Sequence, residues 1–328
     1  MVRNLEGTAV VVTGASSGIG RATALAFAAK GAAVIVAARR AGPLGQLAQE
    51  CERAGGRGIA VPTDIRDPDA VQALANAALE SFGRLDVWVN NAAVGMWARF
   101  EDVPLEDYRQ VIETNLFGYV HGARAALPCF REAGHGVLIN NASVLAAVPA
   151  PYASSYVASK HAVRGLGGSL RQELALDGAR SIHVCTVMPA TIDTPFFQHS
   201  ANYTGRAVKA MPPVYSPERV ARTIVSCARW PRREVFVGNM ARLAYQQYKV
   251  MPGMTERAMR VMVDKAHLYL DRPAPPTPGA VHESMADGTA VDGGWNGRRK
   301  TRNRRLASGS VAAMLALVSL RTRGRSRA

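Results

Sequence analysis

Cysteine is scarce in this 328-residue chain: Cys51, Cys129, Cys185 and Cys227 are scattered, without CxxC spacing or a histidine cluster beside them. Neither a disulfide framework nor a zinc site is indicated, and reduced thiols in a cytoplasm are the expectation. Room for a leader is also missing: the apolar run Ala9-Val10-Val11-Val12 begins too soon after Met1 for a charged region, an apolar stretch and a cleavage site to precede it. Acidic residues vanish from the end of the chain. None follows Asp292, whereas ten arginines and lysines stand between Arg298 and Arg327. Of the net charge of +15, the tail therefore holds 10 and the rest only 5, so a polyanionic partner is a question for the tail. No apolar run there is long enough to cross a bilayer. Residues 306–320 would make a helix of about 22 Å, against a hydrocarbon core of about 30 Å. Val311, Met314, Leu315 and Val318 share one helical face, which fits an interfacial helix held by arginines at an anionic membrane. A disordered basic tail and a nucleic-acid contact are the other readings, the last without a recognised reading motif.

What is present is a chain 48% hydrophobic, enough for one large α/β domain with additions. Apolar strand-like runs end near Thr13, Ala38, Asp64, Asn90, Asn140 and Val187, and they alternate with helical patterns. A final run, Glu234-Val235-Phe236-Val237, makes seven strands. Alternation of this kind predicts a doubly wound parallel sheet with ligands at the carboxyl ends of its strands. Residues 1–240 are expected to form this domain and 241–271 a helical extension split at Pro252-Gly253. Met240 at its border and Met251, Met254, Met259 and Met262 within it make the extension methionine-rich, and it reads as packing onto the domain, a substrate lid or a docking surface. Residues 272–328 read as an extended Pro- and Gly-rich linker followed by the basic tail.

Two motifs carry chemistry. Thr13-Gly14-Ala15-Ser16-Ser17-Gly18-Ile19-Gly20 lies between a strand and a helix, where glycines permit positive φ and close backbone approach to a pyrophosphate. Tyr156 and Lys160, four apart on a helix, can point into one cleft, where an ammonium would favour the phenolate. Ser143 lies upstream, after a strand. Together these motifs resemble the classical short-chain dehydrogenase/reductase family over about the first 240 residues. The resemblance implies a Rossmann-type sheet of order 3-2-1-4-5-6-7 and an oxidoreductase in which Tyr156 is the general acid/base. It implies that Ser143 stabilises the substrate oxygen, that Lys160 lowers the tyrosine pKa and holds the nicotinamide ribose, and that Asn115 in a helix kink holds a water against the lysine. Gly14, Ser16, Ser17, Gly18, Ile19 and Gly20 would surround the phosphates. Asp64 and Ile65 would contact the adenine, Asn91 and Ala92 the ribose, and Pro189, Ile192 and Thr194 the carboxamide. Ala93 and Ala190 stand where the family has glycine.

At the end of the second strand, where an acidic residue would select NAD(H), the chain has Ala38, Arg39 and Arg40. Guanidinium groups suit a 2′-phosphate, so NADP(H) is preferred, with NAD(H) as the alternative. Val94 to Trp97, Leu145 to Tyr152, Phe196, Phe197, Tyr203 and Met211 are apolar or aromatic, which indicates a small hydrophobic ketone, aldehyde or alcohol. His161 projects away from Lys160 and reads as structural. Association into a homo-oligomer through two long central helices follows from the resemblance alone. The competing reading is a nucleotide-binding regulator or membrane-associated scaffold whose basic tail carries the function.

Overall fold

The structure is a computed structural model, and it describes residues 4–295; the basic tail, with residues 306–320, lies outside the described residues. Seven strands form one parallel sheet: β1 (Ala9–Thr13), β2 (Ala33–Ala38), β3 (Arg57–Pro62), β4 (Val87–Asn90), β5 (Gly136–Asn141), β6 (Ile182–Pro189) and β7 (Glu234–Val237). Their order across the sheet is β3-β2-β1-β4-β5-β6-β7, as expected. Buried on both faces, the inner strands need apolar residues at odd and even positions alike. Val10, Val12, Val34 and Val36 face one core, with helices α1 (Gly18–Ala28) and α2 (Ala41–Arg53). Val11, Ile35 and Trp88 face the other, with α3 (Pro68–Phe82). Next along the chain are α4 (Leu105–Ile112), α5 (Gly118–Ala133), α6 (Ser154–Leu176) and α7 (Pro217–Arg229); α5 and α6 join the second core and α7 the first.

Asparagines tie together the carboxyl ends of three neighbouring strands. Asn91 Nδ2 donates to the carbonyls of Thr13 (2.9 Å) and Gly14 (3.2 Å), and Asn141 Nδ2 donates to Asn91 Oδ1 (2.9 Å). Behind them, Asn90 Nδ2 donates to Asn140 Oδ1 at 3.0 Å. These bonds fix the crevice between β1 and β4, where the strand order reverses and an α/β sheet offers its ligand site.

The helical extension comprises α8 (Asn239–Val250) and α9 (Pro252–Met262). Their break falls at Met251, because proline is well accommodated in a first helical turn, which frees Pro252 to begin α9. The helical reading to residue 270 fails at its end. After a π-turn at Val263–His267, Leu268–Pro273 is a strand antiparallel to Arg206–Val208, an edge partner that local periodicity does not reveal. Residues 274–295, read as a free linker, are instead held against the domain. Asn202 and Thr277 exchange main-chain bonds of 2.8 and 3.1 Å, and Asp193 Oδ1 accepts from the N–H of Gly293 (3.0 Å) and of Trp295 (2.8 Å). No helix among the described residues is long and apolar enough to cross a membrane.

Gly20 shows how tightly the first turn is built, since a Cβ there would lie 2.2 Å from the Gly14 carbonyl oxygen. Gly20→Ala is expected to cost about 1–3 kcal/mol, read as a lower urea midpoint with an unchanged slope.

Candidate active site

The crevice opens into a cavity of about 420 Å³ that runs from the β1–α1 turn to the extension helices. Every residue expected at the cofactor or in catalysis lines it, apart from Gly20 and Asn115. The turn fits a dinucleotide. Gly14 and Gly18 have φ of 64° and 56°, and a Cβ on Gly14 would stand 2.6 Å from the Ala92 Cα, so only glycine allows β1 and β4 to approach this closely. Ser17 stands at the N-cap of α1 without capping it through its side chain, and Thr194 faces Gly18 from β6's following loop. Ala190, in place of the family's glycine, packs its methyl under Gly238, whose φ is 110°.

At the middle of the cavity, α6 presents Tyr156 and Lys160 one turn apart, and the Ser143 hydroxyl hydrogen-bonds the Tyr156 hydroxyl. Lys160 is 1% exposed; its Nζ lies 5.6 Å from the Tyr156 ring centroid and donates to Tyr119 Oη (3.3 Å) and to the Asn141 carbonyl (3.2 Å). With no anion beside it, burial brings its pKa down to about 7. Burial likewise pushes Tyr156 up to about 12, against the pull of the Ser143 hydrogen bond. The expectation was that this ammonium, together with a cationic nicotinamide ring, would lower the tyrosine; among the protein groups alone desolvation outweighs the lysine, which lies against the ring rather than at the hydroxyl. Tyr119, which no spacing rule connects to Lys160 because it comes from α5, completes the lysine's shell and donates to the Asn141 carbonyl at 2.9 Å.

Asn115 lies in a π-turn, Glu113–Phe117, the expected kink. Its side chain accepts from Val94 N–H (2.8 Å) and donates to the Val94 carbonyl (2.9 Å) and to Ser159 Oγ (3.2 Å). The amide group holds the loop after β4 to α6 and does not touch Lys160. Asp64 is grasped by Arg66, whose guanidinium and main-chain N–H overcome burial and hold its carboxyl below the usual range. Arg39 and Arg40 do reach the groove, but both donate to main-chain carbonyls in residues 280–288.

Beyond Tyr156 the wall is aromatic. The rings of Tyr156 and Phe196 are 5.5 Å apart, Phe196 and Phe197 5.6 Å, Phe197 and His267 5.5 Å, and His267 and Trp97 4.0 Å. Met211, Leu145 and, from α8 and α9, Met240 and Met259 complete this end, so the extension packs onto the domain and lines the cavity. Tyr203 is not there: its hydroxyl donates to Asp107 on α4. His267 escaped sequence reading because it sits in what passes for helix. His161 is exposed and bonds the Val157 carbonyl (3.0 Å), away from the site.

Residues 8–204 match the family described as short chain dehydrogenase. This chain belongs to that family. It is 35% identical over 280 residues to the uncharacterised oxidoreductase YxnA of Bacillus subtilis, covering 84% of this chain and 77% of the relative. It is 39% identical over 199 residues to 3beta-hydroxysteroid dehydrogenase 1 of Eggerthella lenta, covering 60% and 74%. The crystal structure of a short-chain dehydrogenase/reductase from Burkholderia phymatum in complex with NAD superposes with a TM-score of 0.68 at 27% identity, over 75% of this chain and 96% of that one. The dehydrogenase is therefore an oxidoreductase with a nicotinamide-cofactor fold.

In this dehydrogenase, folded Lys160 releases its proton at about pH 7, whereas an ordinary lysine keeps it to 10.5. The unfolded chain binds more protons across that window, so stability rises with pH from about 7 to about 10.5. Urea unfolding of Lys160→Met at several pH values between 7 and 10 is expected to lack that rise.

Proposed function

We propose that this protein is an NADP(H)-dependent reductase/dehydrogenase that interconverts a hydrophobic ketone or aldehyde and its alcohol. The observation that carries this is the convergence of Ser143, Tyr156 and buried Lys160 on one cavity that continues from a glycine turn into an aromatic pocket. When bound, the nicotinamide dinucleotide supplies or takes the hydride. The Gly18 and Ile19 amides would hold its pyrophosphate, and Arg39 and Arg40 a 2′-phosphate. Solved structures similar to this chain hold NAD in one case and 5-hydroxy-NADP in another, so likeness does not decide the cofactor and the choice rests on the two arginines.

In reduction, the Ser143 hydroxyl donates to the substrate oxygen and steadies the charge that grows there. Tyr156, which burial keeps in its protonated form well beyond neutral pH, then gives that oxygen its proton. Lys160 offsets the charge left on the phenolate, and the paired Asn115 keeps α6 in register with the loop after β4. Oxidation needs the phenolate at the start. The aromatic wall and methionine lining favour an apolar body, consistent with a relative whose name is that of a hydroxysteroid dehydrogenase. A homo-oligomer through α5 and α6 fits the exposure of Phe117 and Leu176 at the ends of these helices.

Apolar ketones screened with NADPH at the reduced-nicotinamide absorbance test the activity. Tyr156→Phe is expected to lower kcat/KM by about 10²–10⁴ with the dinucleotide Kd unchanged; retained turnover refutes the acid/base role. Arg40→Asp is expected to reverse the ratio of NADPH to NADH efficiency, and an unmoved ratio refutes the cofactor choice.

A further inference from the structure

Two side chains in the far wall of the cavity are buried without partners. Trp97 is 6% and His267 2% exposed, and neither the indole Nε1 nor either imidazole nitrogen meets hydrogen-bond geometry with a described residue. The Lys209 carbonyl beside the ring favours keeping a proton on the imidazole, while burial holds His267 neutral, with a pKa of about 4. Buried polar groups left unpaired are destabilising and uncommon, and a ligand is one way to satisfy them. Two ring contacts hold His267 in place, Trp97 at 4.0 Å and Phe197 at 5.5 Å, and the strand Leu268–Pro273 follows directly. We propose that Trp97 and His267 form a second polar anchor, which binds an oxygen function at the end of the substrate remote from the reacting carbonyl. With the imidazole proton turned toward the Lys209 carbonyl, the indole N–H offers a donor and the other imidazole nitrogen an acceptor, a match for a hydroxyl group. The substrate is then an apolar carbonyl compound bearing a distant hydroxyl, a refinement that rests on the reductase reading above.

The test compares 4-phenylcyclohexanone with 4-(4-hydroxyphenyl)cyclohexanone. The wild type is expected to show a KM at least about tenfold lower for the hydroxylated ketone at similar kcat. Trp97→Phe and His267→Leu are expected each to erase most of that difference. In the free protein, His267→Leu is expected to keep or raise the Tm, because it removes unpaired nitrogens. Equal wild-type KM values, or a Tm that falls with His267→Leu, overturn the anchor. If neither ketone turns over, the substrate class above fails, and the melting temperatures still decide the pairing.

A separate observation concerns residues 280–290, which cross the mouth of the dinucleotide groove. Arg39 donates to the carbonyls of His282 (2.7 Å) and Ala280 (2.8 Å), and Arg40 to those of Met285 and Asp287 (both 2.8 Å). The Gly18 N–H, at the head of α1, donates to the Ala290 carbonyl at 3.0 Å. These are the donors assigned above to the phosphates. We infer that this segment is an autoinhibitory strap that competes with the dinucleotide. Neutral carbonyls satisfy the cationic groups, and an anionic phosphate makes the stronger bond, so binding lifts the strap and the strap in turn raises the apparent Kd. The strap has its own docking points: His282 Nε2 lies 2.8 Å from Asp107 Oδ1, and Gly279 and Gly288, with φ of 51° and 70°, pack on His199 with no room for a Cβ.

In the full chain, Gly279→Val with Gly288→Val should dislodge the strap. The Kd for NADP⁺, read by fluorescence titration, is expected to fall about tenfold. In the wild type, saturating NADP⁺ is expected to speed cleavage after Glu283 by a glutamate-specific protease severalfold. A Kd that is unchanged or higher, or cleavage that slows, shows a clasp closing on bound cofactor and overturns the inference. No binding to either protein overturns the cofactor reading itself.

Discussion

A single ammonium group buried at the centre of the sheet's carboxyl edge organises this site. Placing a charge where water cannot reach it is costly unless the surroundings replace hydration. Lys160 has two oxygens, one main-chain and one phenolic, and two aromatic faces for that purpose. Each comes from a different element: Asn141 ends β5, Tyr119 is on α5 and Tyr156 on α6 itself. The lysine is thus the point at which the strand end and both central helices must agree. The asparagine ladder from Thr13 through Asn91 to Asn141 extends the same constraint to the glycine turn, so the phosphate end and the catalytic end of the cavity share one frame.

The incomplete compensation of that charge has a chemical use. Burial brings the lysine close to neutrality and moves the tyrosine further into its protonated form, and a charged ligand entering the cavity shifts both. Both groups therefore answer to the charge of whatever occupies the cavity.

Much of this was legible in the sequence. Strand positions and their order followed from buried apolar runs and from helix-strand alternation, which depend on local pattern. The glycine turn, Ser143 and the Tyr156–Lys160 pair were readable because their function demands fixed spacing. Tyr119 and His267 were not, since each acts through neighbours from distant elements and neither lies in a fixed motif. The pKa of Tyr156 was misjudged for a related reason: proximity to Lys160 can be read from a helical repeat, but the depth of burial cannot. Leu268–Pro273 was taken for helix because its partner, Arg206–Val208, lies far back in the chain.

The segment across the groove was the hardest to foresee, and its chemistry explains why. It holds the arginines with peptide oxygens, which every residue type possesses, so those contacts do not depend on side-chain identity. The two tightly packed glycines, His282 and the buried Val281, which packs with Val94 and Met96, are the side-chain positions tied to particular neighbours. A segment that acts through the path of its backbone therefore leaves little mark in the letters of a single sequence.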